Sequence, residues 1–441
     1  MKRNRKKQAL QFCYLITLTF LLISCQSPIN KNTQTQNDTR FRVIVSSDIG
    51  GTDPDDFQSM VHLFLYADVI DLEGIISSAY GPGRKQHILA VIDEYEKDYP
   101  NLKTYSDQYP TADSLRQITK QGAEEIAGYS GVGKPTEGSK WLIDCARRND
   151  DRPLYVLIWG GIEDLSQALH DAPDILPRLR VYWIGGPNKK WSPDAYQYMV
   201  DNHPNLWIIE SNSTYRGWFT GGNQSEALNN NGFPAQSIAG RGAIANFFMT
   251  QLGGTIKMGD TPSLAWLLNG NQEDPTQPGW GGQYIRAWER PHYQLTQMPE
   301  EKDRMQEFGI MELSLPIKQQ TQEQPQAFLK VDNQALTGYF LGDDSVRFRF
   351  SPKSAKVFQF SIDSNIEELN GMTGSITAFI PSAKLANQPA ADLPNWWTDN
   401  PNPEFAEGDH IGAKTVSRWR EEFLADFAKR MNRCKTPKPS E

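Results

Sequence analysis

Residues 43–56 read VIVSSDIGGTDPDD and combine an apolar run with a cluster of acids. Its branched apolar start predicts a buried strand, and the proline followed by two acids predicts the first turn of a helix. Four carboxylates, those of Asp48, Asp53, Asp55 and Asp56, fall within nine residues and repel one another unless a positive charge neutralises them. Aspartates beside glycines that let the backbone wrap suit a hard cation such as Ca²⁺, so the stretch predicts a metal site.

Helix capping is the alternative explanation for three of these acids. Asp53 is a good N-cap, and Asp55 and Asp56 favour the positive end of the helix dipole, so no metal is required for them. Capping does not explain Asp48, which lies five residues earlier, or the two glycines between them.

Short apolar runs alternate with helical patterns through the following two hundred residues. The runs that predict strands are 43–47, 72–79, 154–159, 179–186 and 206–211. Segments with apolar residues at helical spacing are 54–66, 84–99, 112–127, 137–148 and 162–170. The alternation predicts an α/β fold with a mostly parallel open sheet, helices on both faces, and ligands beyond the carboxyl ends of the strands.

The pattern changes near residue 300, which predicts a second region. Residues 306–380 have the alternation of a small antiparallel β module, and residues 381–414, rich in Pro, Asn and Asp, predict an irregular connection. An amphipathic helix is predicted over 415–432, and we expect it to pack back on the first domain, residues 41–305.

The N-terminus has the pattern of a lipoprotein signal. Five basic residues precede an apolar run, and the run ends in Leu22-Ile-Ser-Cys25. This pattern predicts a signal peptide over 1–24, a lipid on the sulfur of Cys25, and a polar tether over 25–40. The protein would then be a cell-envelope lipoprotein, periplasmic or on the outer membrane; an ordinary signal peptide or membrane anchor is the alternative.

Charge and composition exclude several classes of protein. Removal of the basic leader changes the formal net charge from −8 to −13, which disfavours nucleic acid as a partner. Six scattered histidines have no zinc-ligand spacing, and no Gly-x-Ser-x-Gly elbow of a serine hydrolase is present. Cys145 and Cys434 could pair or remain free thiols, and the oligomeric state stays open.

Three further motifs follow the acidic loop in a fixed order. They are residues 157–168 (LIWGGIEDLSQA), 184–186 (IGG) and 259–263 (GDTPS). Together they resemble the nucleoside hydrolases, including the inosine-uridine enzymes. The resemblance is closer to a nucleoside-hydrolase-like family of secreted bacterial proteins that is often described as cellulose-binding. It covers about residues 41–290 and 415–432.

This resemblance implies a function for individual residues. Its implied Ca²⁺ ligands are Asp48, Asp56, Asp260 and the main-chain carbonyl of Trp159. Asp48 would also act as general base on a water molecule, and Asp55 would hold a sugar hydroxyl.

The chain departs from the nucleoside hydrolases in three places. The spacing from Asp48 to the Asp pair is about three residues longer, which makes Asp53 a rival for one metal role. Ser77-Ser-Ala-Tyr-Gly81 stands where a ribose-binding Asn is expected, and Gly259 replaces a His that serves nucleobase protonation. The prediction of a calcium site survives these changes, but the prediction of a nucleoside substrate does not. Acids that could replace the His are Glu163, Glu273 and Asp274.

Tryptophan content adds a weaker hint of carbohydrate binding. Five of the twelve Trp residues lie in loops rich in Gly, Pro or Asn, where rings could stack on sugars or serve the core: Trp191, Trp218, Trp280, Trp396 and Trp397. Trp280, in Gly-Trp-Gly-Gly, is the best candidate for substrate binding.

Three functions remain as hypotheses. The leading one is a Ca²⁺-dependent glycoside hydrolase that acts on a glycan or glycoside through an activated water. The second is a carbohydrate-binding lipoprotein that uses the same pocket without turnover, and the third is a nucleoside hydrolase.

Overall fold

The acidic loop joins the first strand to the first helix, as predicted. A computed structural model of the protein describes residues 38–79, 81, 83–318 and 324–438. The predicted signal peptide, Cys25 and most of the tether lie outside the described residues. Numbered along the chain, the first seven strands are β1 (Arg42–Ser47), β2 (Asp71–Ser77), β3 (Thr119–Gln121), β4 (Leu154–Ile158), β5 (Leu179–Ile184), β6 (Ile208–Ser211) and β7 (Tyr284–Arg286).

Helices fill the connections between these strands. They are α1 (Asp55–Leu65), α2 (Lys85–Leu102), α3 (Ala112–Ile118), α4 (Glu137–Ala146), α5 (Glu163–Asp171), α6 (Gly185–Lys189), α7 (Pro193–Asn202), α8 (Gly232–Ser237), α9 (Ala243–Thr250) and α10 (Thr261–Leu268). The helix predicted over 112–127 ends early, because β-branched Thr119 leaves the helix and pairs with Ile75 at the edge of the sheet.

A second region follows, and its described residues form nine strands. These are β8 (His292–Leu295), β9 (Arg304–Gln306), β10 (Ile310–Pro316), β11 (Ala327–Val331), β12 (Gln334–Thr337), β13 (Tyr339–Phe340), β14 (Ser345–Phe350), β15 (Val357–Ser364) and β16 (Thr373–Phe379). They form two mostly antiparallel sheets in the orders β13-β14-β10-β8 and β12-β11-β15-β16-β9. Apolar side chains of both sheets, such as Phe348 and Phe360, share one core. We call this region the β module.

The chain then returns to the large sheet. Strand β17 (Trp396–Asp399) lies within the segment whose composition predicts an irregular connection, and it pairs in parallel with β6. Strands β1 to β6 and β17 are all parallel, and β7 is antiparallel to β17. The order β3-β2-β1-β4-β5-β6-β17-β7 makes an α/β fold with a mostly parallel open sheet.

Apolar clusters cover both faces of this sheet. One contains side chains of α1, α2, α9 and α10, and the other contains side chains of α4, α5 and α7. The last helices, α11 (Lys414–Ser417) and α12 (Arg420–Lys435), follow β17, and Phe427 of α12 lies in the first cluster.

The structure shows the state of the two cysteines and the character of the helices. Cys145 and Cys434 are both buried and unpaired. Within the described part of the chain, no helix combines the length and apolarity needed to cross a bilayer.

Candidate active site

A cavity of about 260 Å³ opens beyond the carboxyl ends of the central strands. Five predicted site residues line it, namely Asp48, Asp55, Asp56, Trp159 and Asp260. They come from the loop after β1, the first turn of α1, the end of β4 and the start of α10. The parallel sheet therefore brings together residues that are more than two hundred positions apart in the chain.

Two glycines shape the loop that carries Asp48. Gly50 has φ of 85°, a left-handed conformation that glycine adopts without strain. Gly160, after β4, lies so close that a Cβ there would be 2.7 Å from the Cβ of Asp48. Glycine at position 160 thus lets the two strand ends meet under the cavity.

Three carboxylates converge at the bottom of the cavity. Asp55, Asp56 and Asp260 each offer one oxygen, and these oxygens lie within 4.8 Å of one another. Ser47 Oγ donates to Asp56 Oδ1 at 2.5 Å, whereas Asp260 Oδ2 is buried and has no donor among the described residues. Convergent oxygen donors with one atom unsatisfied fit a hard divalent cation such as Ca²⁺.

We call Asp48, Asp55, Asp56 and Asp260 the acidic cluster, because their charges act on one another. Burial, followed by the charge of Asp55, raises the pKa of Asp48 to about 7. Burial and the charge of Asp260 raise the pKa of Asp56 well above its ordinary value, and the pKa of Asp260 is raised likewise. A bound cation would relieve this repulsion, which is the electrostatic part of the fit.

Lys257 partly compensates the cluster from one side. It forms ion pairs with Asp53 and, at 3.4 Å, with Asp55, which also accepts a hydrogen bond from the Gly259 N–H at 3.1 Å. Burial tends to raise the pKa of Asp53, but the hydrogen bond and charge of Lys257 lower it overall. Asp53 is half exposed and paired with Lys257, so the structure places this rival metal ligand outside the group of three.

The main chain of Trp159 is held firmly at the cavity. Asn188 Nδ2 donates to the Trp159 carbonyl at 3.1 Å and to the Ile184 carbonyl at 2.8 Å. The Trp159 indole donates to Ser263 Oγ at 2.7 Å, and that hydroxyl donates to the Asp260 carbonyl at 2.7 Å. A carbonyl oxygen has two lone pairs, so it can accept one hydrogen bond and also bind a metal ion. The Trp159 carbonyl therefore remains suitable as a metal ligand beside the three carboxylates.

Trp280 lies elsewhere. Its ring packs against the core beside α12, its Nε1 donates to Glu422 Oε2 at 3.4 Å, and it is not among the residues that line the cavity. The tryptophan that does line the cavity is Trp191. Trp218 and Trp396 are fully buried in the two cores.

The three acids considered as substitutes for the missing histidine also lie outside this cavity. Glu163 borders a different cavity, and Asp274 accepts hydrogen bonds from Thr276 and Gln277 in its own turn. At Gly259, where that histidine would stand, a Cβ would be 2.7 Å from Asp55 Oδ2. Any side chain at position 259 would therefore crowd the Asp55 carboxylate.

Sequence reasoning missed several polar residues of the cavity. They are Asn188, Lys190, Tyr215, Lys257, Asn333 and Lys353. Asn188 follows Gly-Gly-Pro at the end of β5, a position where a polar residue could have been noticed. Asn333 and Lys353 belong to loops of the β module, and no local pattern links them to the acidic loop.

Comparison with known proteins supports this assignment of the fold. One protein family, described as "Cellulose-binding Sde182, nucleoside hydrolase-like domain", has a model that matches residues 42–284. A search of curated proteins finds no match.

Several solved structures are similar to this chain. A nucleoside hydrolase-related protein from Saccharophagus degradans, associated with carbohydrate metabolism, is 18% identical, covers 78% of this chain and 100% of its own, and has a TM-score of 0.48. An inosine-uridine preferring nucleoside hydrolase from Bacillus anthracis is 16% identical over 56% of this chain and 85% of its own, with a TM-score of 0.34. A purine-preferring ribonucleoside hydrolase from Gardnerella vaginalis is 12% identical over 89% and 99%, with a TM-score of 0.39.

Proposed function

This chain belongs to the cellulose-binding, nucleoside hydrolase-like family that its residues 42–284 match, and from that premise we propose that it hydrolyses a glycosidic bond with the help of Ca²⁺. One observation carries the proposal. Three buried carboxylates converge at the carboxyl edge of the sheet, and one oxygen of Asp260 lacks any partner among the described residues.

The proposed ligands of Ca²⁺ are Asp48, Asp56, Asp260 and the Trp159 carbonyl, all of which line the cavity. When bound there, Ca²⁺ would neutralise the carboxylates and polarise a water molecule. Asp48 is the proposed base that accepts a proton from this water, because it lies at the strand end that faces the cavity.

Asp55 is the proposed contact for a sugar hydroxyl. One of its oxygens, Oδ2, is already held by Lys257 and the Gly259 N–H, which restricts rotation of the side chain. A carboxylate fixed in this way accepts a hydroxyl hydrogen bond without losing side-chain freedom on binding.

A glycan or glycoside fits this cavity better than a nucleoside does. Gly259 removes the side chain associated with nucleobase protonation, and its N–H instead supports Asp55. The described residues that line the cavity include no histidine.

Carbohydrate binding without turnover is the second candidate, and the same absence of a histidine favours it. Glycoside hydrolysis needs a proton for the leaving oxygen as well as a base for the water. Lys190, Lys257, Lys353 and Tyr215 are the ionisable donors that line the cavity.

The test combines calcium binding with sugar release. Calorimetry of the purified protein should find one Ca²⁺ per chain, and chelation should abolish release of reducing sugar from a glycan library. Asp260→Asn should lose both properties, whereas Asp113→Asn, the same change at an exposed site, should lose neither.

Other outcomes separate the candidates. Sugar binding without release would establish the second function, and release of ribose from inosine or uridine would establish a nucleoside hydrolase. Release of sugar that persists in chelator would contradict the calcium-dependent mechanism.

Membrane anchoring through Cys25 is a separate proposal that rests on the N-terminal sequence alone. Fractionation of cells should place the wild type in the envelope pellet and Cys25→Ser in the soluble fraction. A soluble wild type would refute the anchor.

A further inference from the structure

Lys190, directly after helix α6, is a buried cation. Its side chain is 6% exposed, and its Nζ donates to Asn333 Oδ1 at 3.0 Å and lies 4.4 Å from the centre of the Trp191 ring. Among the described residues no carboxylate forms an ion pair with it. Asp332, which attracts it from farther away, is already paired with Lys356 at 2.9 Å.

A second lysine adds to the positive charge beside Lys190. Lys353 is exposed in the loop between β14 and β15 and lines the same cavity. Burial, followed by the charge of Lys353, lowers the pKa of Lys190 to about 8. These two lysines therefore make part of the cavity lining positive, whereas the acidic cluster lines the same cavity with carboxylates. A buried charge without a counter-ion is costly, and a ligand that carries an anion would remove this cost.

The cavity continues past Trp191. A second cavity of about 190 Å³ shares Lys190, Trp191 and Asn333 with the first, so the two meet at these side chains. The second cavity is also lined by Asp194, whose carboxylate accepts from Tyr339 at 2.9 Å and from Arg349 at 3.0 Å. An aromatic ring beside a few placed polar groups is a lining that can orient a bound ligand.

We propose that Lys190, Lys353, Asn333 and Trp191 form a subsite for an anionic sugar unit, a uronate, within an oligosaccharide that extends into the second cavity. The sugar carboxylate would contact the two ammonium groups, Asn333 would bind a hydroxyl, and the Trp191 ring would pack against the sugar. The inference rests on the proposed function, because it takes the acidic cluster as the place where a glycosidic bond is handled.

A neutral glucan or a nucleoside would leave the charge of Lys190 uncompensated. An anionic sugar instead completes an ion pair with the buried ammonium group of Lys190, and burial strengthens a charge-assisted hydrogen bond. The positive charge of Lys190 and Lys353 therefore favours an anionic sugar over a neutral one, a choice that the fold alone does not determine.

Two matched probes test this charge preference. Cellotetraose and the corresponding tetramer of β-1,4-linked glucuronate share one backbone and differ only at C6. Calorimetry with the purified protein in Ca²⁺ should show the uronate binding at least about tenfold more tightly, as expected for hydrogen bonds to a charged group. Sulfated disaccharides, included as a third probe, distinguish a sulfate ester from a carboxylate as the source of the anion.

Substitutions of single lysines test which residues produce the preference for the uronate. Lys190→Gln and Lys353→Gln should each reduce the uronate preference, whereas Lys302→Gln, an exposed lysine paired with Glu300, should leave it unchanged. Lys353→Gln keeps the test decisive if Lys190→Gln fails to fold, because Lys353 is exposed.

Equal affinity for the two tetramers, or unchanged preference in Lys353→Gln and Lys190→Gln, would overturn the subsite. Binding of none of the acidic probes would also overturn it. Calcium-dependent hydrolysis of a neutral glycan would then leave the proposed function intact. Conversely, tight uronate binding without hydrolysis would support the subsite and remove the catalytic function.

Discussion

A buried glutamate and a cluster of buried aspartates both belong to the large-sheet region, and their pKa values shift in opposite directions. Glu210, in β6, contacts Lys189, and its other oxygen accepts from Arg290 at 3.3 Å. Burial would raise the pKa of Glu210, but the charges of Lys189 and Arg290 lower it to about 2. Asp56 and Asp260, buried to a similar degree, have pKa values well above the ordinary range.

The difference shows that burial does not by itself identify a functional acid. Glu210 has both of its cations within the protein, so its site is complete and serves the structure. The acidic cluster has four carboxylates and one lysine beside it, so its charge is incomplete without a ligand.

The largest expected effect comes from breaking the complete site. Glu210→Gln should lower the free energy of unfolding by about 3–5 kcal/mol, because Lys189 and Arg290 would stay buried without an anion. Denaturant unfolding measures this change. Glu300→Gln, which breaks an exposed pair with Lys302, should cost less than about 1 kcal/mol. Equal losses in the two variants would contradict the comparison.

A somewhat smaller effect should come from completing the incomplete site. Calcium at one hundred times its dissociation constant should raise the free energy of unfolding of the wild type by about 2.7 kcal/mol. Asp260→Asn should show no such gain, and in chelator it should be at least as stable as the wild type because one repelling charge is gone. A destabilised Asp260→Asn in chelator would show that the cluster is already satisfied.

The smallest effect concerns Glu163, a buried carboxylate that forms no ion pair among the described residues. Ser192 Oγ donates to it at 2.7 Å, and burial raises its pKa to about 7. Because its folded pKa is raised, its contribution to stability is present at low pH and is lost as pH rises towards 7. The loss should reach up to about 2 kcal/mol between about pH 5.5 and 7. Unfolding in saturating Ca²⁺ should show this loss relative to Glu163→Gln, and identical pH profiles would exclude it.

The sequence predicted the acidic side of the site because that information is local. Strand β1, the glycines, and the acids at the start of α1 are contiguous, and the motif around Asp260 lies directly before α10. The placement of Lys190 and Lys353 in the cavity was not predictable in this way. Lys190 pairs with Asn333, more than a hundred positions away, and only the packing of the β module against the sheet edge joins them.

Two further differences have the same physical origin. Trp280 lies in a glycine-rich loop that suggests exposure, but it is partly buried against the core and donates to Glu422 of α12. The sequence near residue 280 contains no sign of this contact with a distant helix. Strand β17 is only four residues long within a polar segment, so its composition predicts no strand. Pairing with β6 and β7 forms this strand, although its own sequence does not predict one.

The insertion of β17 between β6 and β7 also constrains the order in which the protein can fold during synthesis. Residues 208–211 must wait for residues 396–399 before that part of the sheet can close, so a ribosome has released most of the chain by then. Until that moment the backbone groups of β6 are unpaired on one side, and such an edge invites pairing with another chain. Expression of residues 42–284 alone would keep this edge open permanently, and we expect that fragment to aggregate.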